Sequence, residues 1–358
     1  MRVIKSVWLP LVCLCFILQA QESESTATDD VDVDVDVDIT NNNNNNNNVH
    51  QSQYDPSSNK LNIHIVPHTH DDVGWLKTVE QYYYGQNHTI RHACVSCILD
   101  SIIYALQLNP SRKFTFVEMA FFSMWWDEQP DTIKQITKEL VKNGQLAFVN
   151  GGWCMHDEAT THFMGMIDQT SLGHEFLLRE FGYVPKVGWQ LDPFGHSATQ
   201  ASLLTSEAGF NALYLGRIDY QDLNKRYDTR ACEGVWDASP VNLEDNAIFW
   251  GLTGSFTGNY GAPDGFCFDI LCDDDPLVGM EEDALESRVV DFLEKVKVQA
   301  GRSRGNNVML TMGADFQVSC VICYGIMIVV VVVVVVLYTC IVVYVRLARL
   351  FYSLFIQK

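Results

Sequence analysis

Residues 61–75 read LNIHIVPHTHDDVGW, a short apolar run that leads into a loop of histidines and aspartates. The run at 61–66 predicts a β-strand, and the loop begins at Pro67. Polar residues that can bind metals or protons are typical of functional sites when they directly follow a strand of a parallel sheet. This stretch therefore predicts both the class of fold and the place of the site.

The rest of the region 60–317 alternates short apolar runs with longer helical patterns. Further strands are predicted at 114–117, 146–149, 186–191, 212–215 and 308–311. Helices are predicted at 90–108, 131–143, 164–181, 197–208 and 283–300, with Asp131 as an N-cap and Gly144 as a terminator. Strand and helix in alternation predict an α/β fold with a parallel sheet, either a barrel or an open doubly wound sheet.

Two more predicted strands are followed by acidic residues of the kind found in the first loop. Asp192 follows the predicted strand 186–191, and Asp315 follows the strand 308–311. His70 and Asp72 can direct an imidazole nitrogen and a carboxylate oxygen at one divalent ion. A third ligand from Asp192 would complete a mixed nitrogen and oxygen set suited to zinc.

The two later aspartates also predict a reaction type. Asp192 lies between an apolar strand and Pro193-Phe194, a setting that holds a nucleophilic carboxylate in place. Asp315 can face the same pocket. Two such carboxylates across a sugar ring are the machinery of glycoside hydrolysis, with one as nucleophile and one as general acid and base. An aspartate that caps a helix or lines a loop is the structural alternative for each.

Several segments in this order resemble one family. They are residues 68–79 (HTHDDVGWLKTV), 120–123 (AFFS), 151–153 (GGW), 157–162 (DEATTH), 192–197 (DPFGHS) and 216–222 (GRIDYQD). Together they resemble the amino-terminal catalytic domain of family-38 glycoside hydrolases, and within that family the lysosomal acid alpha-mannosidases. The matching region covers more than two thirds of the chain.

The resemblance implies a seven-stranded (β/α) barrel and zinc-dependent, retaining hydrolysis of terminal alpha-linked mannose from N-glycans and oligomannosides. It implies a Zn²⁺ ion bound by His70, Asp72 and Asp192, with Asp192 also as nucleophile and Asp315 as acid/base. It further implies a sugar pocket with aromatic walls and polar groups, to which it assigns Trp75, Phe194, Arg217 and Tyr260.

The sequence also departs from the family. The family has a further zinc ligand, a histidine far downstream, whereas no histidine follows His196 in this sequence. The downstream domains of the family are missing too. An alternative interpretation is therefore a catalytically inert or glycan-binding fragment of such an enzyme. A metal-dependent deacetylase on a similar barrel is a third alternative, but it explains the segment 192–196 less well.

The cysteines and one sequon indicate passage through an oxidising compartment. The family has a disulfide in the region of Cys267 and Cys272, so we predict a bridge there. Cys94 and Cys97 form a Cys-x-x-Cys motif inside a predicted helix, and we interpret them as buried thiols. Asn87-His88-Thr89 is a glycosylation sequon. The expected localisation is the secretory pathway, with a lysosomal or secreted product.

The two ends of the chain are predicted to lie outside the catalytic domain. Residues 1–20 have the pattern of a signal peptide, and residues 21–59, with an Asp-Val alternation and an asparagine tract, that of a disordered spacer. Residues 318–345 carry no charge and predict a transmembrane helix, followed by a short basic cytosolic tail at 346–358. A translated intron or a faulty gene model is the alternative for this tail.

Charge argues against one class of partner. The 358 residues carry a net charge of −20, with 44 acidic and 24 basic side chains. A protein that binds nucleic acid neutralises phosphates with lysine and arginine, so nucleic-acid binding is not expected as the main role.

Overall fold

The structure is a computed structural model that describes residues 61–206, 208–239, 246–253, 260–269, 272, 274 and 280–317. The strands are β1 (Asn62–Pro67), β2 (Phe114–Phe116), β3 (Leu146–Phe148), β4 (Val187–Gln190), β5 (Ala212–Leu215), β6 (Glu233–Asp237), β7 (Ala247–Leu252) and β8 (Asn307–Met312). The helices are α1 (Val79–Tyr83), α2 (Val95–Leu108), α3 (Met119–Glu128), α4 (Asp131–Lys142), α5 (Phe163–Phe181), α6 (Ala198–Ser206), α7 (Tyr220–Thr229) and α8 (Glu282–Ala300).

The strands pair in three groups, β1–β8, β2–β3 and β4–β5–β7–β6. All these pairings are parallel except β6–β7, which is antiparallel. A parallel bridge between His68 and Thr115 links β1 to β2, and the main-chain N–H of Asn150 donates to Val187 to link β3 to β4. The spatial order is therefore β8-β1-β2-β3-β4-β5-β7, with β6 at the edge of the last group.

The buried core explains why these segments are strands and helices. Ile63 and Ile65 of β1 are fully buried, since every second residue of this strand points inward. The largest cluster also includes Phe116 of β2 and Phe122 of α3, which meets Phe148 of β3 in an edge-to-face contact. Helices thus cover the strands with aromatic side chains, as expected of an α/β fold.

Most predicted elements are confirmed, and the differences have local causes. The helix predicted at 90–108 begins only at Val95, after a turn and an irregular stretch. Pro130, not Asp131, is the N-cap of α4. The sequence prediction missed β6 and β7, because the apolar residues of 233–252 are interrupted by polar ones. β7 nevertheless pairs with both β5 and β6.

Two predictions at the level of the whole chain have a different outcome. Among the residues that the structure describes, no hydrogen-bonded ladder joins β7 to β8, so the closed seven-stranded barrel is not confirmed. Within that same part of the chain, no helix has the length and apolarity needed to cross a bilayer. The predicted signal peptide (1–20), spacer (21–59), transmembrane helix (318–345) and basic tail (346–358) all lie outside the described residues.

The prediction for the Cys-x-x-Cys motif is wrong, because Cys94 and Cys97 form a disulfide. Cys94 is the N-cap residue of α2, and Cys97 lies in its first turn. Residues three apart on a helix share one face. Their Cα atoms are 5.3 Å apart, which is within the range that a disulfide can bridge.

One close approach between backbones gives a stability prediction. A Cβ atom added to Gly173 of α5 would collide with the carbonyl oxygen of Gly151, whose loop passes against the helix. We expect Gly173→Ala to destabilise the chain by about 1–3 kcal/mol, the usual cost of overpacking. Urea unfolding of the purified chain measures the difference.

Gly165 of the same helix is the matched control for this prediction. No atom lies within 4 Å of the Cβ position at Gly165. Alanine has the higher helix propensity, so Gly165→Ala should be neutral or stabilise the chain by up to about 1 kcal/mol. Equal effects of the two substitutions would contradict the close approach at Gly173.

Candidate active site

The predicted metal ligands lie together at the ends of two strands. His70 and Asp72 follow β1, Asp192 follows β4, and their ligand atoms all lie within 4.8 Å of one another. His70 Nε2 lies 3.2 Å from Asp72 Oδ1 and 3.9 Å from Asp192 Oδ2. The structure therefore brings the three residues together, although Asp192 is far from the other two in sequence.

The surroundings of His70 fit a cation at this cluster. Its ring is buried, and within the described residues neither ring nitrogen has a hydrogen bond of good geometry. Burial alone lowers the pKa of His70, but the contact with Asp72 and the charges of Glu118 and Asp192 outweigh it and raise the pKa to about 9. The pocket thus favours positive charge, and its one nitrogen and two carboxylate ligands suit zinc.

A hydroxyl connects the two candidate catalytic carboxylates. Tyr260 Oη lies 2.6 Å from Asp315 Oδ1 and 3.3 Å from Asp192 Oδ1. Arg217 Nη2 donates to the same oxygen of Asp192 at 2.7 Å. Asp192 therefore has one oxygen held by polar groups, whereas Oδ2 faces His70. Asp192 and Asp315 both retain about a third of their side-chain exposure, so a substrate can reach them.

Sheet pairing places Asp315 beside the metal cluster. β8 pairs with β1 in parallel, and the pairing continues beyond the strands as a bridge between His70 and Asp315. The N–H of His70 donates to Ala314, and the N–H of Phe316 donates to His70. Since parallel strands end at the same edge, the loops after them meet there.

The groups around Tyr260 keep its hydroxyl protonated and in place. Burial, followed by the charge of Asp315, raises the pKa of Tyr260 far above its ordinary value. The main-chain oxygen of Tyr260 lies 3.0 Å from Nε2 of buried His68, and burial lowers the pKa of His68 to about 4. A neutral His68 can donate this hydrogen bond, which holds the main chain of Tyr260 in place.

The remaining predicted site residues have mixed outcomes. Trp75 and Phe194 lie on the surface, 61% and 77% exposed, and their place in the sugar pocket stays a prediction. Cys267 and Cys272 form the predicted disulfide. Asn87 is exposed in a turn, and its glycosylation stays a prediction.

Two residues at the site were missed from the sequence. Glu118 is buried and lies 3.7 Å from His70 Nδ1, and no group in the described part of the chain donates a hydrogen bond to its carboxylate oxygens. Burial raises its pKa well above the ordinary value. Arg91 Nη2 lies 3.7 Å from Asp315 Oδ2. Glu118 closely follows β2, so the strand-end rule that identified Asp192 could have found it, whereas no pattern marks Arg91.

These observations define a class of protein. It is an α/β domain with a candidate divalent-metal site of one histidine and two aspartates, beside a second catalytic-type carboxylate. Every one of these groups follows a strand. Comparison with known proteins identifies the family within this class.

The family comparison covers most of the chain. The description "Glycosyl hydrolases family 38 N-terminal domain" matches residues 60–323. An alpha-mannosidase of Canavalia ensiformis is 51% identical over 263 residues, which are 72% of this chain and 26% of that protein. The human lysosomal alpha-mannosidase is 46% identical over 266 residues, 72% of this chain and 26% of that protein. The chain therefore belongs to glycoside hydrolase family 38.

A solved structure agrees at the level of the fold. The crystal structure of an alpha-mannosidase from Enterococcus faecalis matches with a TM-score of 0.52 and 16% identity, over 72% of this chain and 25% of that one. The domain thus has an α/β fold similar to family-38 structures. The chain spans about a quarter of the length of the relatives it matches.

Proposed function

We infer that this chain is a zinc-dependent alpha-mannosidase that hydrolyses terminal alpha-linked mannose of N-glycans and oligomannosides with retention of configuration. The observation that carries this proposal is the pair of carboxylates, Asp192 and Asp315, joined by one hydroxyl beside a His-Asp-Asp cluster. Relatives named alpha-mannosidase at 46% and 51% identity supply the substrate class.

The spacing of the carboxylates supports retention. Tyr260 Oη lies 3.3 Å from one carboxylate and 2.6 Å from the other. The two carboxylate oxygens can therefore be no farther apart than the sum of these two distances. That sum is below the separation of roughly 6.5–9.5 Å between carboxyl groups that inverting enzymes need to fit a water molecule. A short separation suits a mechanism in which one carboxylate attacks the sugar directly.

The proposed roles follow from this geometry. Asp192 attacks the anomeric carbon, and protonated Asp315 gives its proton to the departing oxygen; Asp315 then takes a proton from the water that releases the sugar. Arg217 and Tyr260 hold one oxygen of Asp192. His70, Asp72 and Asp192 would hold zinc, which would supply Lewis-acid stabilisation to the bound sugar. We assign the aromatic walls of the pocket to Trp75 and Phe194.

Further parts of the proposal rest on the family. We propose that residues 60–317 are the catalytic domain, that its strands close into a seven-stranded barrel, and that the protein is lysosomal or secreted. The name of a Dictyostelium discoideum relative, a lysosomal alpha-mannosidase 48% identical over 263 residues, supports the compartment.

Turnover of a chromogenic alpha-mannoside by the purified full chain tests the function. We expect hydrolysis when zinc is supplied, loss of hydrolysis after chelation, and recovery when zinc is returned. A folded chain that binds zinc without turnover would overturn the proposal and favour an inert or glycan-binding fragment.

Zinc binding is a separate prediction that does not need turnover. We expect one ion per chain, and we expect Asp72→Asn to weaken binding at least about 10-fold, because even the outer partners of metal ligands contribute about 10–100-fold. Competition with a chromogenic chelator measures the affinity. Asp157→Asn is the control, since the carboxylate of Asp157 accepts hydrogen bonds from Ala159 and Thr160 of its own turn. Equal affinities of the two variants would exclude Asp72 as a ligand.

A further inference from the structure

Two of the motif segments meet in a buried pair that has no role in the mechanism above. Glu158 lies in the segment 157–162, and His196 in the segment 192–197. Nδ1 of His196 lies 2.9 Å from Oε1 of Glu158, and their side chains are only 8% and 2% exposed. Polar side chains so far from water need hydrogen-bond partners to be tolerated.

Glu158 has the partners that a buried carboxylate requires. Its Oε2 accepts the main-chain N–H of Ser197 at 2.7 Å, and its Oε1 accepts from Gln190 Nε2 at 3.2 Å. His196 Nδ1 is the third nitrogen in contact with this carboxylate. Both oxygens of Glu158 therefore have partners, which fix the side chain in place.

The other nitrogen of His196 reaches the active site. Nε2 lies 2.9 Å from the main-chain oxygen of Arg217. A carbonyl oxygen only accepts, so Nε2 of His196 donates this hydrogen bond. His196 therefore links Glu158, through Nδ1, to the main chain of Arg217, through Nε2.

Arg217 transmits this contact to the nucleophile. The residue before it, Gly216, passes so close to the carbonyl oxygen of Leu191 that a Cβ atom there would collide with it. The ends of β4 and β5 thus touch immediately before Asp192 and Arg217. With its main chain fixed by His196, Arg217 donates from Nη2 to Asp192 Oδ1 at 2.7 Å.

We propose that Glu158 and His196 are positioning residues that hold the main chain of Arg217 so that its guanidinium fixes one oxygen of Asp192 and leaves the other facing the metal ligands. The function of this linkage rests on the proposed mannosidase activity. The linkage itself rests only on the contacts Glu158–His196, His196–Arg217 and Arg217–Asp192.

A double-mutant cycle tests whether Glu158 acts through Arg217. We expect Glu158→Gln to lower kcat about 10–100-fold, the range for outer partners of metal ligands, with KM changed less than about threefold. Added to Arg217→Met, it should cause little further loss, because residues that act through one contact are not additive. Losses that multiply would overturn the proposal.

The same double-mutant cycle can be carried out with zinc affinity as the measured quantity, since Asp192 is also a proposed zinc ligand. Glu158→Gln and Arg217→Met should each weaken zinc binding, and the double variant should match Arg217→Met. Asp157→Asn, the same chemical change one residue away, should leave both kcat and zinc affinity unchanged. If the wild-type chain binds zinc without turnover, the proposed function fails, whereas the cycle on zinc affinity still decides the linkage.

The hydrogen bond from His196 to the main chain of Arg217 gives a direct readout of the linkage. Proton–nitrogen correlation spectra of the full chain should show a proton on Nε2 of His196, because the carbonyl oxygen that it meets only accepts. The variant His196→Gln assigns the signal. A wild-type ring without a proton on Nε2 would overturn the proposal.

Discussion

Asp192→Asn is expected to abolish mannoside hydrolysis, with a loss of at least about 10⁴-fold, as when nucleophiles are removed from other hydrolases. The amide has the shape of the carboxylate but lacks its nucleophilic charge. It also weakens two contacts at once, because Asp192 Oδ1 accepts from Arg217 at 2.7 Å and Oδ2 lies 3.9 Å from the ligand atom of His70.

The experiment must distinguish loss of the chemical step from loss of zinc binding. Asp72→Asn removes a proposed ligand that is not the nucleophile, so its turnover should recover at saturating zinc. Asp192→Asn should stay inactive at the same zinc concentration, with zinc content measured in both samples. Turnover of Asp192→Asn within about 10-fold of the wild-type rate would exclude Asp192 as the nucleophile.

Sequence alone could predict the side chains of the site that directly follow a strand. His70, Asp72, Asp192 and Asp315 each follow an apolar strand, and parallel strands bring such positions to one edge. The bridge between His70 and Asp315 shows the rule at work, since it joins residues on the first and last strands. Periodicity and strand ends were sufficient here because both features are local.

The part that could not be predicted depends on contacts between distant segments. Arg91 reaches Asp315 from an irregular stretch before α2, and no local pattern marks it. In the sequence, Glu158 and His196 are only members of two separate motif segments. Their contact with each other and with Arg217 depends on the fold. Trp75 and Phe194 were assigned by resemblance, and their exposure reflects loops whose surroundings the local sequence does not determine.

Asp315→Asn is expected to slow hydrolysis about 10²–10⁴-fold, the usual contribution of general acid–base catalysis. Asparagine cannot give a proton to the leaving oxygen or take one from water. The oxygen of the asparagine would still accept the hydrogen bond from Tyr260, which is 2.6 Å long to Asp315 Oδ1, so the side chain would stay in place. The loss should therefore be in chemistry rather than in binding, with kcat falling far more than zinc affinity.

The leaving group tests this role against a structural one. An aryl mannoside with an acidic phenol leaves without a proton, so its first step should be affected much less by Asp315→Asn than that of a mannoside with a basic leaving group. This difference follows from the acid role, because proton transfer helps most where the departing oxygen is most basic. Tyr260→Phe is the variant for comparison, since it removes the hydroxyl that bridges the two carboxylates but leaves the carboxyl group of Asp315 in place. If Asp315→Asn slows both substrates equally, Asp315 supports the pocket and another group supplies the proton.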